Sequence, residues 1–174
     1  MPLGSAVVSG VTEISDSHSS WRGAAVEQLV AATVALAGRG RINVAQTMWD
    51  AEGVDLVFEG PGPDAPRMRV QVKSIGSDNI NVVKRRRAVS LVRDATFEVR
   101  DDTWILFVLI DVGAMSFEKS WLVPSAEFAA HTTVNARGYR RFNDGLESAR
   151  SRWTAYRHDS RAALADGIIR RLSE

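Results

Sequence analysis

Two short alternating runs, separated by a loop of prolines and glycines, limit what this chain can fold into. Val54, Leu56 and Phe58 recur at every second position, and so do Val70 and Val72. Between them lies Gly60-Pro61-Gly62-Pro63-Asp64-Ala65-Pro66, which cannot be regular structure. A period of two marks a strand with one face in the core. The runs are therefore expected to be neighbouring antiparallel strands joined as a hairpin. With their apolar sets together in the core, Asp55, Gln71 and Lys73 meet on the opposite face. An acid, a neutral oxygen donor and a lysine placed there can hold a divalent cation and a water.

The rest of the chain supplies elements around this hairpin. Residues 1–18 are small and polar, which predicts a flexible arm ahead of a single domain over residues 19–174. Ser19 or Ser20 can cap a helix from about Trp21 to about Ala37, with Val26, Leu29, Val30, Thr33, Val34 and Leu36 at helical spacing. Gly38 and Gly40 stop it. Arg41 to Trp49 reads as a strand. Beyond the hairpin, a helix is expected from about Lys84 to about Phe97, with Ala88, Leu91, Val92 and Ala95 toward the core. Thr103 to Val112 is the most apolar stretch and reads as a strand buried on both faces. Phe117 to Val123 is another strand, and Pro124 opens a short helix to about Ala130. Gly145 to Trp153 is expected to hold a turn or two of helix. Ser160 caps a last helix ending near Leu172. The order predicts an α/β fold, a mixed central β-sheet flanked by α-helices. The five tryptophans, Trp21, Trp49, Trp104, Trp121 and Trp153, are expected in the core.

Composition removes several chemistries. There is no cysteine, which excludes disulfides, thiolate catalysis and Cys-ligated zinc. The three histidines are scattered, so a His-based zinc site is not expected. The longest apolar run, Trp104 to Ile110, is too short to span a bilayer, and no basic segment precedes a long apolar one. A cytoplasmic protein with no membrane partner is the expectation. Of 22 basic residues only Lys73, Lys84 and Lys119 are lysine. A lysine beside Gln71 is thus a choice against the habit of the chain.

A fourth residue joins the set. Glu27 lies in the first helix among small residues, one turn after Gly23 and one before Ala31. Gly23-x-x-x-Glu27, Gly53-x-Asp55 and Gln71-x-Lys73, in this order, resemble the PD-(D/E)xK nuclease superfamily. The pattern is most similar to archaeal Holliday-junction resolvases and to type IV restriction endonucleases whose last motif is QxK. The resemblance covers about residues 19 to 125, and it implies a restriction-endonuclease-like core. It also implies Mg2+ or Mn2+ held by Asp55, Gln71, the Val72 carbonyl and Glu27, with Lys73 orienting or activating the attacking water. DNA would be the substrate, and two copies would pair to cut both strands. Two departures stand out. Gln71 is neutral where the family more often has Glu, and Val54 replaces the proline of the name.

Each feature also has a plainer reading. Asp55 can end a turn, Gln71 and Lys73 can be the wet face of an edge strand, and Glu27 can be a solvated helix position. The run Lys84-Arg85-Arg86-Arg87 can be a solvated face. At a helix start, though, four cations oppose the helix dipole and call for an anionic partner. With Arg22, Arg140 and Arg141 they are the expected contacts to a DNA backbone. No separate recognition domain is visible. Structure-directed or weakly specific cutting, in junction resolution, repair or defence, is the expected activity. The alternative is a nuclease-fold module that has lost the chemistry and binds DNA or a protein partner in a repair or defence complex. An RNA substrate would suit the same site.

Overall fold

A computed structural model describes residues 13–47 and 53–173, with side chains from residue 21 onward. Helix α1 (Glu13–Gly38) leads into strands β1 (Asn43–Gln46), β2 (Leu56–Glu59) and β3 (Arg67–Gly76). After β3 come α2 (Ile80–Arg85), β4 (Arg87–Arg93) and a 3-10 turn at Asp94–Thr96. Strands β5 (Thr103–Asp111) and β6 (Ser116–Pro124) precede α3 (Ser125–His131) and β7 (Tyr139–Gly145). The chain closes with β8 (Arg157–His158) and α4 (Arg161–Arg171).

Six strands form the main sheet in the order β1-β2-β3-β5-β6-β8, and β4 pairs with β7 as a separate ribbon. The β2–β3 pairing is antiparallel, as the proline-glycine loop requires. The pair β3–β5 is parallel. A parallel pair needs a long crossover, and α2, β4 and the 3-10 turn provide it. The fold is therefore mixed α/β, with a mixed sheet flanked by helices. Among the described residues, no helix is long and apolar enough to cross a membrane.

The two faces of the sheet are covered differently. Val26, Val30 and Val34 of α1 and Leu164 and Ile168 of α4 pack on Leu56, Phe58, Val70 and Leu106. This layer is mainly aliphatic. The other layer is aromatic, built from Phe107, Trp121, Phe128, Phe142 and Trp153. Phe142 of the ribbon stacks on Phe107 of the sheet at 3.9 Å between ring centroids. Gln71 and Lys73 belong to this second face, because Gln71 is in register with Ile105 and Lys73 with Phe107.

The structure corrects several expectations. Helix α1 starts at Glu13, ahead of Ser19 and Ser20, so neither serine is its cap. Of the expected arm, residues 13–18 are helical and residues 1–12 lie outside the described residues. Strand β1 is shorter than Arg41–Trp49, and Trp49 lies outside the described residues. The helix expected over Lys84–Phe97 is instead the end of α2 followed by strand β4. The reason is a shared period. Ala88 and Val92 are four apart, which suits one helix face and one strand face equally. Both are buried, but Leu91, which a helix would bury with them, is 49% exposed. Pairing with β7, a segment the sequence marks only as basic and aromatic, decides for the strand. Between Gly145 and Trp153 there is no helix; a 3-10 turn comes later, at Thr154–Tyr156. Trp21 is 47% exposed on α1, whereas Trp121 and Trp153 are core.

Candidate functional site

The chain enters β2 through Gly53, Val54 and Asp55. Leu56 is in register with Val70, yet the Asp55 N–H also donates to the Val70 carbonyl at 3.0 Å. Two successive residues thus meet one residue of β3, as in a β-bulge. The Asp55 carbonyl accepts from Thr47 N at 3.1 Å, and the Thr47 hydroxyl donates to the Val54 carbonyl. The backbone of Asp55 is fixed from both sides. Its Oδ2 accepts the Val72 N–H at 2.6 Å. The carboxylate therefore sits where β2 leaves β3, beside the backbone of the residue between Gln71 and Lys73. The simple alternation predicted from sequence puts Asp55 squarely on the Gln71 face. There its carboxylate meets the peptide N–H of Val72, the residue after Gln71.

Gln71 is 5% exposed. A Cβ built on Gly53 would lie 2.8 Å from Gln71 Nε2 and 2.4 Å from the Thr96 carbonyl, and Gly53 has φ +65°. Only glycine satisfies both the conformation and the close approach. Gly53 thus lets the 3-10 turn after β4 close over the Gln71 amide. Lys73 is half-buried, and among the described residues its ammonium has neither a hydrogen bond nor an ion pair. A half-buried ammonium without a partner is costly to keep.

Glu27 of α1 is tied to β1. Its Oε2 accepts from Gln46 Nε2 at 3.1 Å, and Gln28 in turn donates to Gln46 Oε1. Gln46 is in register with Leu56, the residue after Asp55. Glu27 is thus tied to the β1 residue that pairs beside Asp55, on the α1 side, whereas Gln71 and Lys73 are on the face away from α1. Among the described residues, no cluster of three or more His, Asp or Glu is placed to hold a metal. The donors here are carboxylates in ones and twos, supplemented by amide and backbone oxygens. Magnesium is commonly held by one or two carboxylates together with substrate phosphate oxygens, so this donor set fits it.

The expected DNA contacts divide into two groups. Arg22 forms a two-pronged pair with Asp78 at 3.0 and 3.1 Å, tying α1 to the loop after β3. Arg140 donates to Asp94 at 2.7 Å and to the Thr132 carbonyl at 2.9 Å, and lies over the Phe97 ring. Arg86 takes a left-handed conformation at the end of α2 and pairs with Glu147. Arg87 donates to Asn143 at 2.7 Å. These four have internal work. Lys84, Arg85 and Arg141 are exposed with no partner among the described residues. The run Lys84–Arg87 is also at the end of a helix, not its start. Cations there are favourable with the dipole, so the argument from repulsion to an anionic partner falls away.

Sequence reasoning missed Thr96, whose carbonyl covers Gly53, and the acids Asp78 and Asp94 that occupy Arg22 and Arg140. No local pattern marks these, since each partner comes from a different element. No protein-family model matches the chain, and no curated protein matches it.

Proposed function

We propose that this protein is a metal-dependent nuclease that hydrolyses DNA phosphodiester bonds at the β2–β3 corner. One observation carries the reading: the Asp55 carboxylate is anchored on the Val72 N–H, directly beside Gln71 and Lys73, which has no partner among the described residues. The resemblance of the Gly53-x-Asp55 and Gln71-x-Lys73 motifs to PD-(D/E)xK nucleases supports it. So does the topology, a helix, an antiparallel three-strand meander, a crossover and a parallel fourth strand. Asp55 and the Val72 carbonyl, with Gln71 beside them, would hold Mg2+ or Mn2+. A bound cation supplies a more acidic water and offsets charge on the phosphoryl oxygens. Val72 N–H holds the Asp55 carboxylate in one orientation, so no reorganisation is needed when phosphate arrives. Lys73 places a positive charge where charge grows on the phosphate, or takes up the water as a hydrogen-bond donor. Its lack of a partner among the described residues suits that role. A homodimer and a cytoplasmic location belong to the same proposal.

A second reading is favoured by Gln71. Its amide is neutral and 5% exposed, packed against Gly53. A site with one negative ligand fewer can keep the fold and bind DNA or a protein partner without cutting.

The test uses branched, nicked, linear and single-stranded DNA, and RNA, with magnesium, manganese or chelator. Cutting that requires the metal supports the nuclease, and the preferred substrate names its kind. Binding without cutting under every metal condition supports the scaffold.

A further inference from the structure

Strand β7 and the segment after it line a polar pocket of about 480 Å³ that shares no residue with the Asp55 corner. Arg87, Arg141, Arg150 and Arg152 line it. Arg87 keeps one N–H on Asn143, and Arg152 one on the His131 carbonyl at 3.1 Å. Arg141 and Arg150 have no hydrogen bond or ion pair among the described residues. Asp144 lines the same pocket and is 1% exposed. Its Oδ2 accepts the Trp121 indole N–H at 2.7 Å, while its Oδ1 is buried with no hydrogen-bond partner among the described residues. None of the four neighbouring guanidinium groups reaches that oxygen. A buried carboxylate oxygen without a donor is expensive, and native proteins seldom leave one.

The pocket therefore presents two demands at once. Its arginines call for an anion, and Arg is suited to phosphate through its planar fork of donors. Asp144 Oδ1 calls for an N–H or O–H donor. Trp153, 3% exposed, adds an aromatic wall. A nucleotide has all the matching parts: a phosphate, a base edge with N–H groups and a flat ring. The volume lies within the range of small-molecule sites, roughly 300–1,000 Å³. We propose that this pocket binds one nucleotide, with its phosphate among the arginines and a base N–H on Asp144 Oδ1. A free nucleoside monophosphate and the phosphorylated terminal nucleotide of a strand share this chemistry. The inference goes beyond the proposed hydrolysis and does not depend on it.

The full chain is titrated calorimetrically with GMP, AMP, CMP and UMP, beside inorganic phosphate and guanosine as single-part controls. Chelator is present, so no divalent cation at the Asp55 corner contributes. At least one nucleotide should bind about tenfold or more tighter than either control. Joint Arg141→Ala and Arg150→Ala substitution, at exposed positions that leave the fold intact, should weaken it by about tenfold or more, the loss of charge-assisted hydrogen bonds. Asp144→Asn, checked for folding by circular dichroism, should cost a similar factor for the nucleotide and leave phosphate binding unmoved. Displacement of the bound nucleotide by a 5′-phosphorylated oligonucleotide, and not by its 5′-hydroxyl form, identifies the strand end as the source. Its absence identifies the free nucleotide. Phosphate binding as tightly as every nucleotide, no saturation at millimolar nucleotide, or affinity unmoved by the arginine substitutions would overturn the proposal.

Discussion

Two lysines project from the main sheet into different settings. Lys119 of β6 donates to the Leu146 carbonyl at 2.6 Å and pairs with Asp159 at 3.4 Å. Lys73 of β3 is half-buried and has no such partner among the described residues. The chain that gives Arg22 to Asp78 and Arg140 to Asp94 leaves this half-buried ammonium without a partner among the described residues, next to a carboxylate fixed by a backbone N–H. The β6 side of the sheet is arranged for stability. The β2–β3 corner instead sets a carboxylate held by a backbone N–H beside a lysine with no partner among the described residues.

Substitutions at the two lysines should separate these roles. Lys73→Ala should lower cutting by several kcal/mol of transition-state stabilisation, about a thousandfold in rate, and leave the melting temperature unchanged or raised. Lys119→Ala should leave cutting intact and lower stability by about 1–3 kcal/mol, the range for hydrogen bonds to charged groups. If both substitutions cost only stability, the contrast is broken.

Gly53→Ala should come next. The added Cβ meets the Thr96 carbonyl, and φ +65° is strained for alanine. A loss of roughly 1–3 kcal/mol is expected, read from urea midpoints, together with loss of cutting because Gln71 is displaced. An unchanged midpoint would mean that the turn at Thr96 yields easily and that the corner is not held from above.

Arg140→Ala sharpens the other side of the comparison. Its salt link to Asp94 and its bonds to the α3 end should make it a stabilising residue worth about 1–3 kcal/mol. Nucleic-acid affinity should barely change. A drop in affinity at constant stability would return Arg140 to the binding surface.

The smallest effect concerns pH. Burial between β8 and α4, with Arg171 nearby, pushes the His158 pKa below its ordinary value of about 6.5. As pH falls through that value, the unfolded chain takes up the proton first. Stability should therefore be level above about pH 6.5 and fall as the solution is acidified toward the folded-state pKa. His158→Asn should flatten this part of the curve; an identical slope in the variant would remove His158 as its cause.

Much of the fold was legible where one local signal was unambiguous. The proline-glycine loop fixed the β2–β3 hairpin, the long apolar run gave β5, and Ser160 does cap α4, accepting from Ala163 N at 3.0 Å. The stretch 84–97 was not legible, because Ala88 and Val92 satisfy two periods and the deciding partner, β7, lies far along the chain. The corner was half legible. Gln71 and Lys73 share a face as alternation requires, but a bulge is invisible to alternation, so the bond between Asp55 and the Val72 N–H was not foreseen. The pairing of Arg22 and Arg140 with acids was hidden for the same reason as β7: both partners are remote in sequence.

The proposed metal-dependent cutting rests on the anchored carboxylate at the β2–β3 corner. The most direct measurement is the rate of DNA cutting by the intact protein and by Asp55→Ala across a titration of Mn2+, with folding of both checked by circular dichroism. Cutting that rises with the metal in the intact protein and is absent from a folded Asp55→Ala is the predicted result. Cutting by both proteins alike, or by neither at any metal concentration, would contradict it.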